Sequence, residues 1–330
     1  MTGRIFLLID TMNMLHRCRH MVSSKSGIDE QIGMSLHRTF TTLRKAVKLF
    51  EGTHLVFALD GKSWRKGVFP DYKLNRKVLF LKKTPVEQEN EIIFLEAAVD
   101  FCEFLKTKTN ATVIECPIAE ADDMIALWIT AHPDDHHVIV SSDSDFYQLL
   151  ADNVTIYDGM KEIIVSLDSI LDENRNPAIN KKDSQLLPPI DPEYHLFEKC
   201  IRGDKSDNIF SAYPGVRKKG SKEKTGILEA FADRNAKGFA WNNFMNQRWT
   251  DHNEVEHVVK DTYAFNQQLI DLTCQPEDVK EKCLMAVLAV YDKPLVKNVG
   301  LHFMKFCGRW DLKKISEDAA IYAKMLHEHI

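Results

Sequence analysis

The sequence predicts an α/β fold: a mainly parallel twisted sheet flanked by helices, followed by a helical C-terminal region. Short apolar runs rich in Val, Ile and Leu alternate with helix-length stretches over the first half of the chain. That is the pattern of strands covered on both faces and joined by crossover helices. Beyond a polar, proline-bearing segment the strand-like runs cease and helical patterning continues. The 330 residues suit two domains at about 150 residues each, divided here as 1–185 and 186–330.

Residues 4–10 (RIFLLID) read as the first strand, and their apolar run is too short for a secretory leader. A helix is expected over 29–50, a strand over 54–60, a helix over 87–108 and a strand over 111–116. A helix over 120–131 and a strand over 136–142 follow. Residues 153–165 suggest an edge hairpin closed by Asp158-Gly159. The segment 172–192 holds four prolines and reads as a connecting loop. Helices are then expected over 192–202, 225–236, 254–272 and 282–290, the last with an amphipathic packing face.

With 44% hydrophobic and 28% charged residues the chain can bury a core, which excludes general disorder. Seven scattered cysteines without a CxxC pair argue against a disulfide framework or a structural zinc site. No run approaches the roughly 18 apolar residues of a membrane span. A soluble, cytoplasmic protein with no membrane contact is expected. The formal charge of −5 speaks at first against binding phosphate backbones. Its distribution reverses that reading: residues 60–84 carry eight bases against two acids, and 199–224 eight against three.

The acids form a pattern of their own. Asp10 and Asp60 end predicted strands, Asp143 follows another, and Asp145 lies two residues on. Glu120, Asp122 and Asp123 open a predicted helix, and Asp204 and Asp207 stand three apart in RGDKSDN. In an open parallel sheet the crevice lies beyond the carboxyl ends of the strands. A single acid after a strand is ordinarily a helix cap or turn former, but recurrence at successive strand ends favours a metal site. Uncompensated, close carboxylates repel by about 4 kcal/mol per pair at intermediate dielectric, which divalent cations relieve. Oxygen ligands without clustered His or Cys point to Mg²⁺, with Mn²⁺ able to substitute, and not to zinc. Two such ions form the apparatus for in-line attack on phosphodiesters. Two other motifs fail: Gly61-Lys62-Ser63 lacks the earlier glycine of a P-loop, where Val56 stands, and Met12 breaks a phosphatase-type D-x-D at Asp10.

Read together, IDTMNMLHR, FALDGKSWRK, DYKLNRK, AEADDMIA, SSDSDFYQLL and IRGDKSDNI resemble, in order, the motifs of the flap endonuclease/5′–3′ exonuclease family. Within it the chain is most similar to the bacteriophage ribonucleases H. The resemblance spans roughly residues 5–230 and implies a PIN/flap-endonuclease-like fold with a duplex-binding helix–turn–helix. It implies a hydrolase acting from 5′ ends on RNA–DNA hybrids, duplex DNA and 5′ flaps, as in removal of RNA primers during phage DNA replication. One metal would be held by Asp60, Glu120, Asp122 and Asp143 with Asp10 nearby, and a second by Asp145, Asp204 and Asp207. Asp123 would support them from outside the ligand set. A sliding clamp and a single-strand binding protein are possible partners by the same resemblance.

The basic, aromatic-bearing segment 61–85 matches the family's arch beside which a 5′ single strand passes. Lys73 and Arg76 match positions that contact the scissile phosphate, where they would offset charge on the phosphoryl oxygens. Arg65, Lys82 and Lys83 would attract the strand, and Tyr72 or Phe80 could stack on a base; for Trp64 or Phe80 a core contact is the alternative. The stretch YPGVRKKGSKEKTG resembles the family's duplex-gripping turn, with Arg217, Lys218, Lys219, Lys222 and Lys224 as its cations. It is longer and richer in lysine than the family pattern, which argues against the potassium ion some relatives hold there. Two other readings compete: a PIN-type ribonuclease acting on single-stranded RNA, and a non-catalytic DNA junction-binding module.

Overall fold

A computed structural model describes residues 3–22, 26–180, 182–221 and 224–328. In chain order the elements are β1 (Ile5–Asp10), α1 (Thr11–His20), α2 (Ile28–Phe50), β2 (His54–Leu59), α3 (Arg65–Val68), α4 (Leu74–Leu81), α5 (Pro85–Lys108), β3 (Thr112–Glu115) and α6 (Ala121–Ala131). Next come β4 (His136–Val140), a 3-10 turn over Ser144–Leu149, β5 (Val154–Asp158), β6 (Ile163–Val165), β7 (Ile170–Asp172), α7 (Pro192–Arg202), α8 (Ile227–Ala232) and α9 (Phe239–Met245). The last are β8 (Arg248–Thr250), β9 (Glu256–Val258), α10 (Val259–Ile270), α11 (Glu277–Leu288), α12 (Val299–Arg309), α13 (Lys313–Glu317) and α14 (Ala319–Met325).

Two compact units result, each discontinuous in sequence. The first holds Met1–Trp64, Lys83–Ile190 and Pro276–Ile330; the second holds Arg65–Lys82 and Asp191–Gln275. The expected boundary at 185/186 lies close to one of these breaks. A single cut does not describe the chain, however, because the last 55 residues rejoin the first unit, as their burial explains.

The first unit is built on a seven-stranded sheet in the order β3-β2-β1-β4-β5-β6-β7. Its first five strands pair in parallel and β6 and β7 add antiparallel, which answers the predicted mainly parallel sheet. β1 is central, and from Phe6 to Ile9 it has no exposure, as an unbroken apolar run requires. On one face Phe40 of α2 and Phe101 of α5 meet edge to face at 5.7 Å, and Phe303 and Phe306 of α12 pack on Phe40 at 5.2 and 6.2 Å. Tyr322 and Leu326 join the same core. The C-terminal residues, silent in the sequence, therefore complete the first core.

The hairpin expected over 153–165 forms as β5–β6, with Asp158 Oδ1 accepting the N–H groups of Met160 and Lys161. The helix expected over 254–272 begins later, at Val259, because Glu256–Val258 pairs with Arg248–Thr250 as a hairpin. Helices α1, α3, α4, α9 and α12–α14 lie outside the expected helices. Among the described residues all seven cysteines are free, and no helix is long and apolar enough to cross a membrane.

The second unit has its own cores. Phe197, Ile201, Ile227, Phe244 and Val259 pack together, and Tyr72, Cys200, Ile209, Leu269 and Ile270 form a smaller cluster.

Candidate metal centre and nucleic-acid interface

The order of strands reverses direction between β2-β1 and β4, the switch point at which α/β sheets open a crevice. In the parallel register Ile9 lies opposite Val140, so Asp10 and Ser141 leave the sheet side by side. The Ser141 hydroxyl donates to Asp10 Oδ2 at 3.1 Å, and the Asp143 N–H donates to Ser141 Oγ at 3.1 Å. Asp10 caps α1 through Asn13 N–H, and Asp143 caps the 3-10 turn through Asp145 N–H. These acids are therefore cap residues, as a single acid after a strand ordinarily is, and neighbours at the switch point as well.

A second set is fastened by the loops after β2 and β3. Gly61 N–H donates to the Ala119 carbonyl at 2.8 Å and Lys62 N–H to the Pro117 carbonyl at 2.9 Å. A Cβ on Gly61 would stand 2.1 Å from the Cys116 carbonyl oxygen, so only glycine permits this approach. Across the junction Asp60 Oδ1 accepts Ala121 N–H at 2.9 Å, and Ser63 Oγ donates to Glu120 Oε2 at 2.8 Å. Trp64 Nε1 donates to Asp123 Oδ2 at 3.2 Å, and the same oxygen accepts Glu120 N–H at 3.1 Å. Asp123 is fully buried, consistent with a supporting position, and Asp122 Oδ1 accepts its N–H. Sequence reasoning missed Ser63, Trp64, Gly61 and Ser141 as site residues. The rejected P-loop tail was the only local signal for two of them.

The electrostatics suit a cation. Burial, and then the charges of Asp60 and Asp143, push the Asp10 carboxyl up to about 7. Among the described residues neither Asp10 nor Asp143 has a cationic side-chain partner. The donor set is all oxygen and anionic, the chemistry of hard divalent ions. No three His, Cys, Asp or Glu side chains among the described residues are gathered closely enough to coordinate an ion as they stand. Several are turned onto nearby N–H and hydroxyl donors instead.

Asp204 and Asp207 belong to the second unit, where both meet cations. Lys199 Nζ lies 2.9 Å from Asp204, whose Oδ1 also accepts the Ser206 N–H and hydroxyl. Burial would raise the Asp204 carboxyl, but Lys199 and Ser206 outweigh it and hold it below its ordinary value. Asp207 Oδ1 accepts Arg76 Nη2 at 2.8 Å, and its Oδ2 accepts the Tyr72 hydroxyl at 2.9 Å. Lys73 Nζ stands 3.6 Å from that oxygen and over the Tyr72 ring. Lys73 itself sits in the left-handed region at φ 58°, fixed by its N–H to the Asp207 carbonyl.

Two nucleic-acid assignments are overturned. Arg65 is 1% exposed, and its Nε donates to the Leu269 carbonyl at 2.7 Å; it is a buried strut and cannot reach a strand. Tyr72 is 2% exposed, and its ring is core while its hydroxyl holds Asp207, so it offers no face to a base. Arg76, Lys82 and Lys83 are exposed, with Lys83 paired to Glu91 at 3.2 Å within the first unit.

Arg217, Lys218, Lys219 and Lys224 are exposed on the loop before α8; Lys222 lies outside the described residues. The loop is clasped by glycines, for a Cβ on Gly220 would stand 1.8 Å from the Lys224 carbonyl oxygen. Ile227 and Leu228 N–H groups donate to the carbonyls of Arg217 and Lys218.

Carboxylates set at the strand ends of a mainly parallel sheet place the site in the crevice where α/β enzymes act. The chain belongs to the 5′–3′ exonuclease family: residues 5–175 match the family described as 5′-3′ exonuclease, N-terminal resolvase-like domain. It is 28% identical over 221 residues to flap endonuclease Xni of Pseudoalteromonas translucida, covering 66% of this chain and 74% of that protein. To flap endonuclease Xni of Psychromonas ingrahamii it is 32% identical over 161 residues, 46% of this chain and 55% of the relative. Its fold is similar to that of the bacteriophage T5 flap endonuclease in a pseudo-enzyme–product complex with DNA and metal ions. That likeness has a TM-score of 0.54 and 20% identity, and covers 97% of this chain and 100% of the other. A T5 5′-exonuclease structure with divalent metal ions (zinc) bound matches at a TM-score of 0.53 and 20% identity over the same shares.

Proposed function

We propose that the protein is a structure-dependent 5′–3′ exonuclease and flap endonuclease that hydrolyses phosphodiester bonds with Mg²⁺. Its substrates in this reading are 5′ flaps, duplex DNA and RNA–DNA hybrids, and its role is removal of RNA primers in phage DNA replication. The observation that carries the reading is Asp10, buried beside Asp60 and Asp143 at the switch point without a cationic partner among the described residues. The relatives named flap endonuclease support the substrate class.

In this reading Asp10, Asp60, Glu120, Asp122, Asp143 and Asp145 hold divalent ions. Such ions activate water and stabilise a leaving oxygen in phosphodiester hydrolysis. Ser63, Ser141 and Asp123 orient that carboxylate set. Lys73 and Arg76 bind a substrate phosphate and are kept in place by Asp207, while Asp204 and Asp207, with Asp145, would serve a second divalent ion. Arg217, Lys218, Lys219 and Lys224 grip duplex backbone, a salt-sensitive contact. A sliding clamp and a single-strand binding protein remain proposed partners.

The test is cleavage of 5′-labelled flap, RNA–DNA hybrid and single-stranded RNA by wild type and Asp143→Asn in Mg²⁺. Flap and hybrid cleavage that Asp143→Asn abolishes is expected. Cleavage of single-stranded RNA alone would favour the PIN-type ribonuclease, and binding without cleavage the junction-binding module.

A further inference from the structure

The second unit carries a groove of about 1100 Å³ that the nuclease reading does not use. Its walls are aromatic: Phe69, Phe210, Tyr213, Trp249 and Phe265 line it. Phe210 is 68% exposed and Phe265 37% exposed, costly for a surface meant to face only water. The rings are held. Phe69 meets Phe265 edge-on at 5.7 Å. Trp249 donates through Nε1 to the Ala212 carbonyl at 2.7 Å and stacks on His257 at 4.6 Å. His257 in turn bonds Asp251 at 3.0 Å.

The charge on the groove selects its occupant. Among the described residues, Asp251, Asp261, His252 and His257 line it and no lysine or arginine does. Asp251 is turned onto His257 and onto the Asn253 and Val255 N–H groups, so the exposed Asp261 is the carboxylate left open to the groove. Phosphates would meet the Asp261 carboxylate and no lysine or arginine in the lining, so nucleic acid is disfavoured here. A cationic side chain would meet the Asp261 carboxylate and aromatic faces together, both attractive. We propose that this groove docks a segment of another protein that inserts an apolar side chain among the aromatics and sets an adjacent lysine or arginine against Asp261. This proposal does not depend on the nuclease assignment.

The experiment uses the full chain and fluorescence anisotropy with three labelled probes. These are a short peptide of Leu, Phe, Lys and Arg, the same peptide with Glu replacing each base, and a single-stranded oligonucleotide. Selective binding of the basic peptide is expected. Phe210→Ala should weaken it at least about tenfold, and Asp261→Lys should weaken it and remove its salt dependence. Both positions are exposed, circular dichroism verifies folding, and cleavage of a short flap should be unchanged. The proposal is overturned if the basic peptide does not bind, or if its binding ignores both substitutions. It also fails if the acidic peptide or the oligonucleotide binds equally well through Phe210.

Discussion

The Ser63 hydroxyl donates to Glu120 Oε2 across 2.8 Å, joining the loop after β2 to the start of α6 in a buried contact. Ser63→Ala should remove one charge-assisted bond, costing about 1.5–3 kcal/mol of stability and lowering kcat, while Ser63→Thr restores most of both. Thermal unfolding and single-turnover cleavage measure the two effects. An unchanged kcat in the alanine variant would show that Glu120 does not depend on this contact.

Gly61→Ala should be more damaging than its size suggests. The added methyl would stand 2.1 Å from the Cys116 carbonyl oxygen, so the loops carrying Asp60 and Glu120 must separate. A stability loss of about 1–3 kcal/mol is expected, with metal affinity falling too. Calorimetric Mg²⁺ titration of the folded variant provides the check.

Asp10→Asn exchanges function for stability. The carboxylate is buried with Asp60 and Asp143 as like-charged neighbours, so a neutral amide should raise the metal-free Tm. The proposed Mg²⁺ site should raise the wild-type Tm, and that rise should shrink or vanish in the variant. Melting curves in chelator and in Mg²⁺ decide it; a lower metal-free Tm would contradict the electrostatic account.

Tyr72→Phe separates two roles for one ring. If the ring stacked on a base, phenylalanine would serve as well. Because its hydroxyl donates to Asp207, its loss should cost about 1 kcal/mol and loosen Lys73 and Arg76, weakening phosphate binding. Substrate affinity of the variant, measured by anisotropy, should fall and not stay constant.

His137 should set an acid limit on stability. It is 1% exposed, its Nε2 donates to the His132 carbonyl, and its Nδ1 has no partner. Burial holds its pKa below the ordinary histidine value. The unfolded chain therefore takes up the proton first, and the stability this group contributes, full above its unfolded pKa of about 6.5, is lost as pH falls below it. His137→Gln keeps a donor for the carbonyl and should flatten the fall in Tm between about pH 7 and pH 5. An unchanged slope would assign the acid sensitivity elsewhere.

Asp10, Asp60 and Asp143 were legible because a parallel strand is an uninterrupted apolar run and its end is marked by the first acid. Strand order was not legible, since β1 lies beside β4 through hydrogen bonds that no local pattern records. The helix expected from 254 lost its first turn to β9, whose partner Arg248–Thr250 stabilises it only once paired. Arg65 and Tyr72 were misread because a basic, aromatic segment looks the same whether its side chains point to solvent or into a core.

By itself, then, the sequence determined the alternation of strands and helices, the acids at strand ends and the separation of basic segments from them. These follow from periodicity and from residue chemistry, which are local. Only the tertiary structure decided that Ser63 and Trp64 hold Glu120 and Asp123, that Asp207 binds Lys73 and Arg76, and that Phe303, Phe306 and Tyr322 close the first core. Those relationships join residues far apart in the chain. Burial and mutual donor satisfaction select them after collapse, and no window of sequence contains both partners.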